Sequence, residues 1–179
     1  MTKQIPHVDK QAVVVKFVGD SGDGMQLIGT LFSNSAALAG NDLSTFPDYP
    51  AEIRAPHNTV AGVSGFQVHV GSTQVRTSGD QCDVLVAMNP ASLKANLKWA
   101  KKGATVIVDA DTFTPEALQK ANYESNPLTD NSLSSYNLVP APITSLSRKA
   151  LEADGLDNKT IDKTRNMFAL GMIYYIFDR

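Results

Sequence analysis

The chain has one cysteine, Cys82, among 179 residues. A single thiol closes no internal disulfide, and it falls short of the three or four thiolates that hold a structural zinc or an iron-sulfur cluster. Positive charge is also scarce: 16 Lys and Arg against 18 Asp and Glu leave a net charge of -2, without the clustered basic residues of a nucleic-acid footprint. No run is long enough for a bilayer. The longest nearly apolar stretch, Met167 to Phe177, is too short to span one, and the opening MTKQIPHVDKQ lacks the apolar centre of a secretory signal. These absences make a cytoplasmic location the expectation, with neither nucleic acid nor membrane as partner. His7 and His69 stand without metal-ligand spacing to another His or an acid, so no metal site is expected.

What is present is the composition of a medium globular domain, 42% hydrophobic and 19% charged, able to bury about 70% of its unfolded surface. Ala12 to Val18 is a valine-rich run bounded by glycines, which reads as a strand buried on both faces. Met25 to Leu38 repeats apolar residues at helical spacing and stops at Ala39-Gly40-Asn41. Leu43 to Phe46 can form a short strand, whereas the prolines from Phe46 to Asn58 predict a long loop. Val63 to Val70 alternates and predicts a hairpin with the stretch around Val75. Cys82 to Met88 reads as a buried strand, Asn89-Pro90 opens a helix that Gly103 closes, and Ala104 to Val108 is a further strand. A short helix from Thr114-Pro115, a weak strand at Asn137 to Val139 and a last helix from about Thr160 complete the chain. The alternation predicts an α/β, Rossmann-like doubly wound mixed sheet with an antiparallel hairpin component. Residues 1–10 are expected to be a flexible N-terminus and 11–179 a single domain. In such sheets the working surface is the carboxyl edge of the strands.

The glycines between the first strand and helix fall as G-x-x-G-x-G (Gly19, Gly22, Gly24), neither the G-x-G-x-x-G of dinucleotide folds nor a P-loop, since no Lys-Ser/Thr pair follows. Backbone N–H groups at the helix start attract an anion, but Asp20 and Asp23 in the same turn repel one. Two readings stay open: a ligand-facing turn, or a tight packing turn capped by Asp or Ser. Of the acids that could hold a ribose, Asp42 precedes the second strand and only Asp48 is suitably placed. Arg54, in the proline-rich loop, is suited to bidentate carboxylate or phosphate contacts. Asp109 and Asp111, after a strand, can bind a ligand or cap the next turn. Cys82 reads as a small core residue. The nearly all-apolar last helix is buried within the domain or against a partner, and its abrupt end at Asp178-Arg179 predicts that the natural chain continues.

Five ordered motifs resemble a known family: GDSGDG at 19–24, YPAEIRAP at 49–56, AGVSGFQV at 61–68, DVLVAMNP at 83–90 and NMFALG at 166–171. Together they resemble the gamma-type domain that begins the alpha subunit of 2-oxoacid:ferredoxin oxidoreductases, in its 2-oxoglutarate branch. In much of that family the glycine turn reads G-x-G-G-Q-G and the arginine motif R-G-G. The resemblance implies an accessory domain of an enzyme that decarboxylates a 2-oxoacid oxidatively to an acyl-CoA. Thiamine diphosphate, magnesium and iron-sulfur clusters would be held elsewhere in the complex. Implied partners are the remaining alpha-subunit domains, a beta subunit and, through the complex, ferredoxin. By the same resemblance Gly19, Ser21, Gly22, Gly24 and Arg54 would line the active-centre edge or contact coenzyme A. The chain alone would be inactive and would carry no catalytic residue. The alternative is an assembly module without direct cofactor contact; an independent nucleotide-binding protein is a third, weaker reading.

Overall fold

The computed structural model describes residues 10–49 and 62–178. Arg54 and most of the expected flexible N-terminus therefore lie outside the described residues. Six strands form one sheet: β1 (Ala12–Asp20), β2 (Asp42–Asp48), β3 (Val63–Gly71), β4 (Cys82–Ala87), β5 (Ala100–Asp109) and β6 (Asn137–Ala141). Their order is β2-β3-β1-β4-β5-β6. β1, β4, β5 and β6 run parallel, while β3 is antiparallel to both β1 and β2. The sheet is mixed and doubly wound, as the alternation predicts.

Strand alternation sends Val15 and Phe17 of β1 to one face and Val14 and Val18 to the other, and all four are buried because each face carries helices. Helices α1 (Met25–Leu38), α4 (Ile143–Ala150) and α6 (Arg165–Ile176) feed the first core with Ile28, Phe32, Ile143, Leu170 and Ile173. The second core lies under α2 (Pro90–Asn96) and α3 (Pro115–Lys120), with Leu93, Leu85 and Val106. The short α5 (Asn158–Asp162) precedes α6. Gly29 lets α1 sit directly on β3: a Cβ there would come within 2.3 Å of the Phe66 ring. Phe32 joins three elements, its ring edge-on to Phe17 of β1 at 5.9 Å and 6.0 Å from Phe177 beyond α6.

Four local expectations need correction. The residues around Val75 form no strand, so there is no hairpin there; the antiparallel component is β3 against β1 and β2. Pro47 does not end β2 but pairs with Phe66 within it, which the sheet tolerates because β2 is an edge strand. Gly103 belongs to β5, inside an irregularity between the Cys82–Ala100 and Val84–Thr105 pairs, rather than closing α2. The last helix is two, α5 and α6, and α4 was not anticipated, because only Ile143, Thr144 and Ser147 of its eight residues are buried.

Phe32→Ala is expected to lower unfolding free energy by about 3–5 kcal/mol, read as a fall in the urea midpoint with an unchanged slope.

Candidate functional site

Parallel β1, β4 and β5 end on the same edge of the sheet, and there Asp20, Asn89 and Asp109 come together with the start of α6. The glycine turn fills the corner between β1 and α1. Its path is set by backbone conformations that side chains resist: Gly24, the residue before α1, has φ +74° and Gly22 has φ +107°. Gly24 is confined a second way, since a Cβ on it would fall 2.2 Å from Asn166 Nδ2. Gly22 faces open space, and Ser21 beside it is exposed.

The two aspartates of the turn have different tasks. Asp23 points inward: its Oδ2 accepts from the Asp20 amide at 2.9 Å, and its Oδ1 accepts from Arg165 Nη2 at 2.7 Å. Both side chains of this ion pair are largely buried, 13% exposed for Asp23 and 21% for Arg165. The carboxylate thus ties the turn back to the last residue of β1. Neither Asp23 nor Ser21 caps α1, which has no side-chain cap. Asp20 stands at the rim, its carboxyl raised above the ordinary range by partial burial and by Asp23; the Asn89 amide and Arg165 lower it.

Two buried polar atoms flank the turn: Gln26 Oε1 has no hydrogen-bond partner, and Asn89 Nδ2 faces the Asp20 carboxyl without closing a hydrogen bond of ordinary geometry. Gln26 is held by its amide nitrogen, which donates to the Gly65 carbonyl at 2.8 Å. Asn89 is held by its oxygen, which accepts from the Ser92 amide at 2.8 Å in a capping box that starts α2. Both side chains are thus fixed beside the edge, with Gln26 Oε1 and Asn89 Nδ2 beneath its surface.

Asp109 is wholly buried. It accepts from the Thr144 amide at 3.2 Å and from the Thr144 hydroxyl at 2.5 Å, and Asp111 accepts from the Ser145 amide at 2.6 Å. Of the two readings open for these acids, the capping one describes their contacts: together they secure the start of α4. Burial pushes the Asp109 carboxyl above the ordinary range, against the Thr144 bonds that lower it. Asp48 pairs with buried Lys16 at 3.5 Å, so it is engaged by the sheet. Asp42 accepts from the Val75 amide at 2.8 Å. Cys82 is fully buried and its thiol is pushed up to about 11 by that burial, which fits a core residue.

Of the expected site residues, Gly19 lies near the end of β1, Ser21, Gly22 and Gly24 are gathered in the turn that follows, and Arg54 is outside the described residues. Arg165 and Gln26 were missed, while Asn89 and Asp109 lie on the strand-end edge where the sequence places them. Asn89 had a signal in its Asn-Pro pair; Arg165 had none, being 142 residues from the acid it binds.

A model of the pyruvate ferredoxin/flavodoxin oxidoreductase family matches residues 14–178. The chain belongs to this family. It is 50% identical over 167 residues to the 2-oxoglutarate oxidoreductase subunit KorA of Mycobacterium tuberculosis, covering 93% of this chain but 26% of that one. Its fold is similar to 2-oxoglutarate:ferredoxin oxidoreductase from Magnetococcus marinus, solved with 2-oxoglutarate, coenzyme A and succinyl-CoA bound. The TM-score is 0.66 at 23% identity, over 93% of this chain and 24% of that one. It is also similar to the gamma subunit of a keto/oxoacid ferredoxin oxidoreductase from Geobacter sulfurreducens, with a TM-score of 0.61 at 20% identity, over 90% of this chain and 75% of that one. This fold therefore occurs both as part of a long polypeptide and as most of a shorter, separate chain. Among the described residues no group of three or more His, Cys, Asp or Glu could hold a metal ion, and no helix is long and apolar enough to cross a membrane.

Two outcomes follow from this geometry. Gly24→Ala is expected to cost at least about 2 kcal/mol, because the left-handed backbone and the Asn166 contact act together; urea unfolding measures it. Asp109 has a carboxyl raised in the folded state, so its protonated form favours folding. That stability is complete below about pH 4, the unfolded value, and is lost as pH rises through the folded value. Asp109→Asn is therefore expected to gain stability relative to the parent between pH 4 and pH 7, read from urea midpoints at the two values.

Proposed function

We propose that the chain is an accessory domain of a 2-oxoglutarate:ferredoxin oxidoreductase, with its strand-end edge turned toward the active centre. The observation that carries this reading is the 50% identity to KorA across 93% of the chain. The whole enzyme decarboxylates 2-oxoglutarate oxidatively and passes the acyl group to coenzyme A and the electrons to ferredoxin.

Thiamine diphosphate with magnesium stabilises the carbanion left by decarboxylation, and iron-sulfur clusters carry single electrons. The donor set here does not suit either: the only thiol is buried Cys82, and Asp23, Asp48 and Asp109 are each committed to a structural partner. Those groups belong to the other domains and the beta subunit, so no turnover is expected from this chain alone. Viologen reduction by 2-oxoglutarate with the purified 179-residue chain tests this, and a rate above background would refute it.

Coenzyme A suits the edge better. Ser21 and Gly22 form an exposed rim, where the serine hydroxyl can donate to or accept from an amide-bearing arm and a glycine without a side chain lets it approach the backbone. Arg54 supplies the charge for a phosphate in this reading, and Gly19 and Gly24 shape the turn. In the assembled enzyme, Arg54→Ala is expected to raise the apparent KM for coenzyme A about tenfold, roughly 1.4 kcal/mol, with assembly intact. Unchanged affinity and assembly would remove Arg54 from the site.

One observation favours the alternative, an assembly module that touches no cofactor: the turn is closed by its own carboxylate, Asp23. Calorimetric titration of the chain with coenzyme A separates the two, since the assembly reading predicts no heat.

A further inference from the structure

Helices on the outside of a domain ordinarily carry charge on the face turned to water. In this chain α2, α3, α4 and α5 all do, with Lys94, Glu116, Lys120, Arg148, Lys149, Lys159 and Asp162 among their residues. The two longest helices do not. Across the 14 residues of α1 and the 12 of α6, the sole charged side chain is Arg165, and Arg165 is turned inward to Asp23.

The outward positions are uncharged and rich in large apolar side chains, with Thr30 and Asn34 as the exposed polar residues of α1. On α1 the buried side is Met25, Ile28, Gly29, Phe32, Ser33 and Ala36. The opposite stripe carries Leu27, Leu31 and Leu38, exposed by 52%, 37% and 90%. On α6 the buried side is Asn166, Ala169, Leu170 and Ile173, and Met167, Tyr175 and Ile176 are exposed by 37%, 74% and 45%. The helices are neighbours: the Tyr174 hydroxyl donates to the Leu31 carbonyl at 3.3 Å, and Phe32 lies 6.3 Å from the Tyr174 ring. Their outer stripes therefore make one uncharged face on the side away from the sheet. Loss of charge with retention of Leu, Met and Tyr is the composition of the centre of a protein interface.

We propose that this α1–α6 face is where the domain is held against another domain of the oxidoreductase polypeptide, one that presents an apolar, uncharged surface. The proposal rests on the functional reading above. The occupant is chosen on two grounds. In KorA the region matched by this chain is 26% of the subunit, and in the Magnetococcus marinus enzyme 24% of the chain, so about three times this length of the same polypeptide is there to cover a face of the domain. A charged partner would lose hydration without a counter-charge to replace it.

The test uses the M. tuberculosis oxidoreductase with this chain in place of the matching region of KorA. Leu38→Lys and Tyr175→Lys together are expected to reduce the assembled complex recovered by size-exclusion chromatography at least tenfold. In the free 179-residue chain the same pair is expected to leave the melting temperature within about 2 °C, since both sites face solvent. Lys120→Glu, on the opposite helical layer, is expected to leave assembly unchanged. Full assembly of the doubly substituted chimera would overturn the proposal while leaving the functional reading in place. Failure of the unsubstituted chimera to assemble would overturn both. A parental chain that sediments as a dimer, split by the same pair, would overturn it in favour of a second copy on this face.

Discussion

The edge of this domain depends on the ion pair between Asp23 and Arg165. It joins the first turn of the fold to the start of its last helix, and each partner alone would be costly to bury. With the pair made, the Asp23 carboxylate is free to accept from the Asp20 amide, which closes the turn. Asn166, the next residue of α6, then packs against Gly24 at a distance that only glycine permits. The turn, α1 and α6 are consequently set as one unit on the first face of the sheet, with Phe32 and Ile173 beneath them.

This arrangement changes what the glycines mean. A strand, a glycine turn and a helix make a phosphate cradle when backbone donors are left open for a ligand. Here the Asp23 carboxylate closes the turn onto the last residue of β1, and the positive φ of Gly22 and Gly24 serves that closed loop. In the proposed function the ligand contacts lie outward, at the exposed rim of Ser21 and Gly22. The same ion pair draws the one charge of α6 inward, which leaves the outer side of α6 as uncharged as that of α1, whose sequence carries no charge. One contact thus orders the edge and keeps the outer side of α6 free of charge.

Much of this was legible in the sequence where local signals were strong. β1, the turn and α1 follow from a valine run, three glycines and helical spacing, and α1 spans the residues that the spacing predicts. The second β-α-β unit was legible through Asn89-Pro90. Elements went astray where context outweighed local preference. Pro47 breaks a central strand but not an edge strand, and only the sheet order makes β2 an edge. Gly103 stops a helix or kinks a strand equally well. α4 buries too few apolar residues to show a period. The site was legible as a place but not as a network: the turn was identified, whereas Asp23 and Arg165 are joined only by the tertiary fold. The five motifs that resemble the 2-oxoacid oxidoreductases identified the family that the match over residues 14–178 establishes.

The most direct measurement of the central claim is a double-mutant cycle on Asp23→Ala and Arg165→Ala, followed by urea unfolding of the 179-residue chain. If the pair ties the turn to α6, the two losses overlap, with a coupling energy of about 1–3 kcal/mol. Losses that add to within about 0.5 kcal/mol would contradict it, showing that the turn and α6 are held independently.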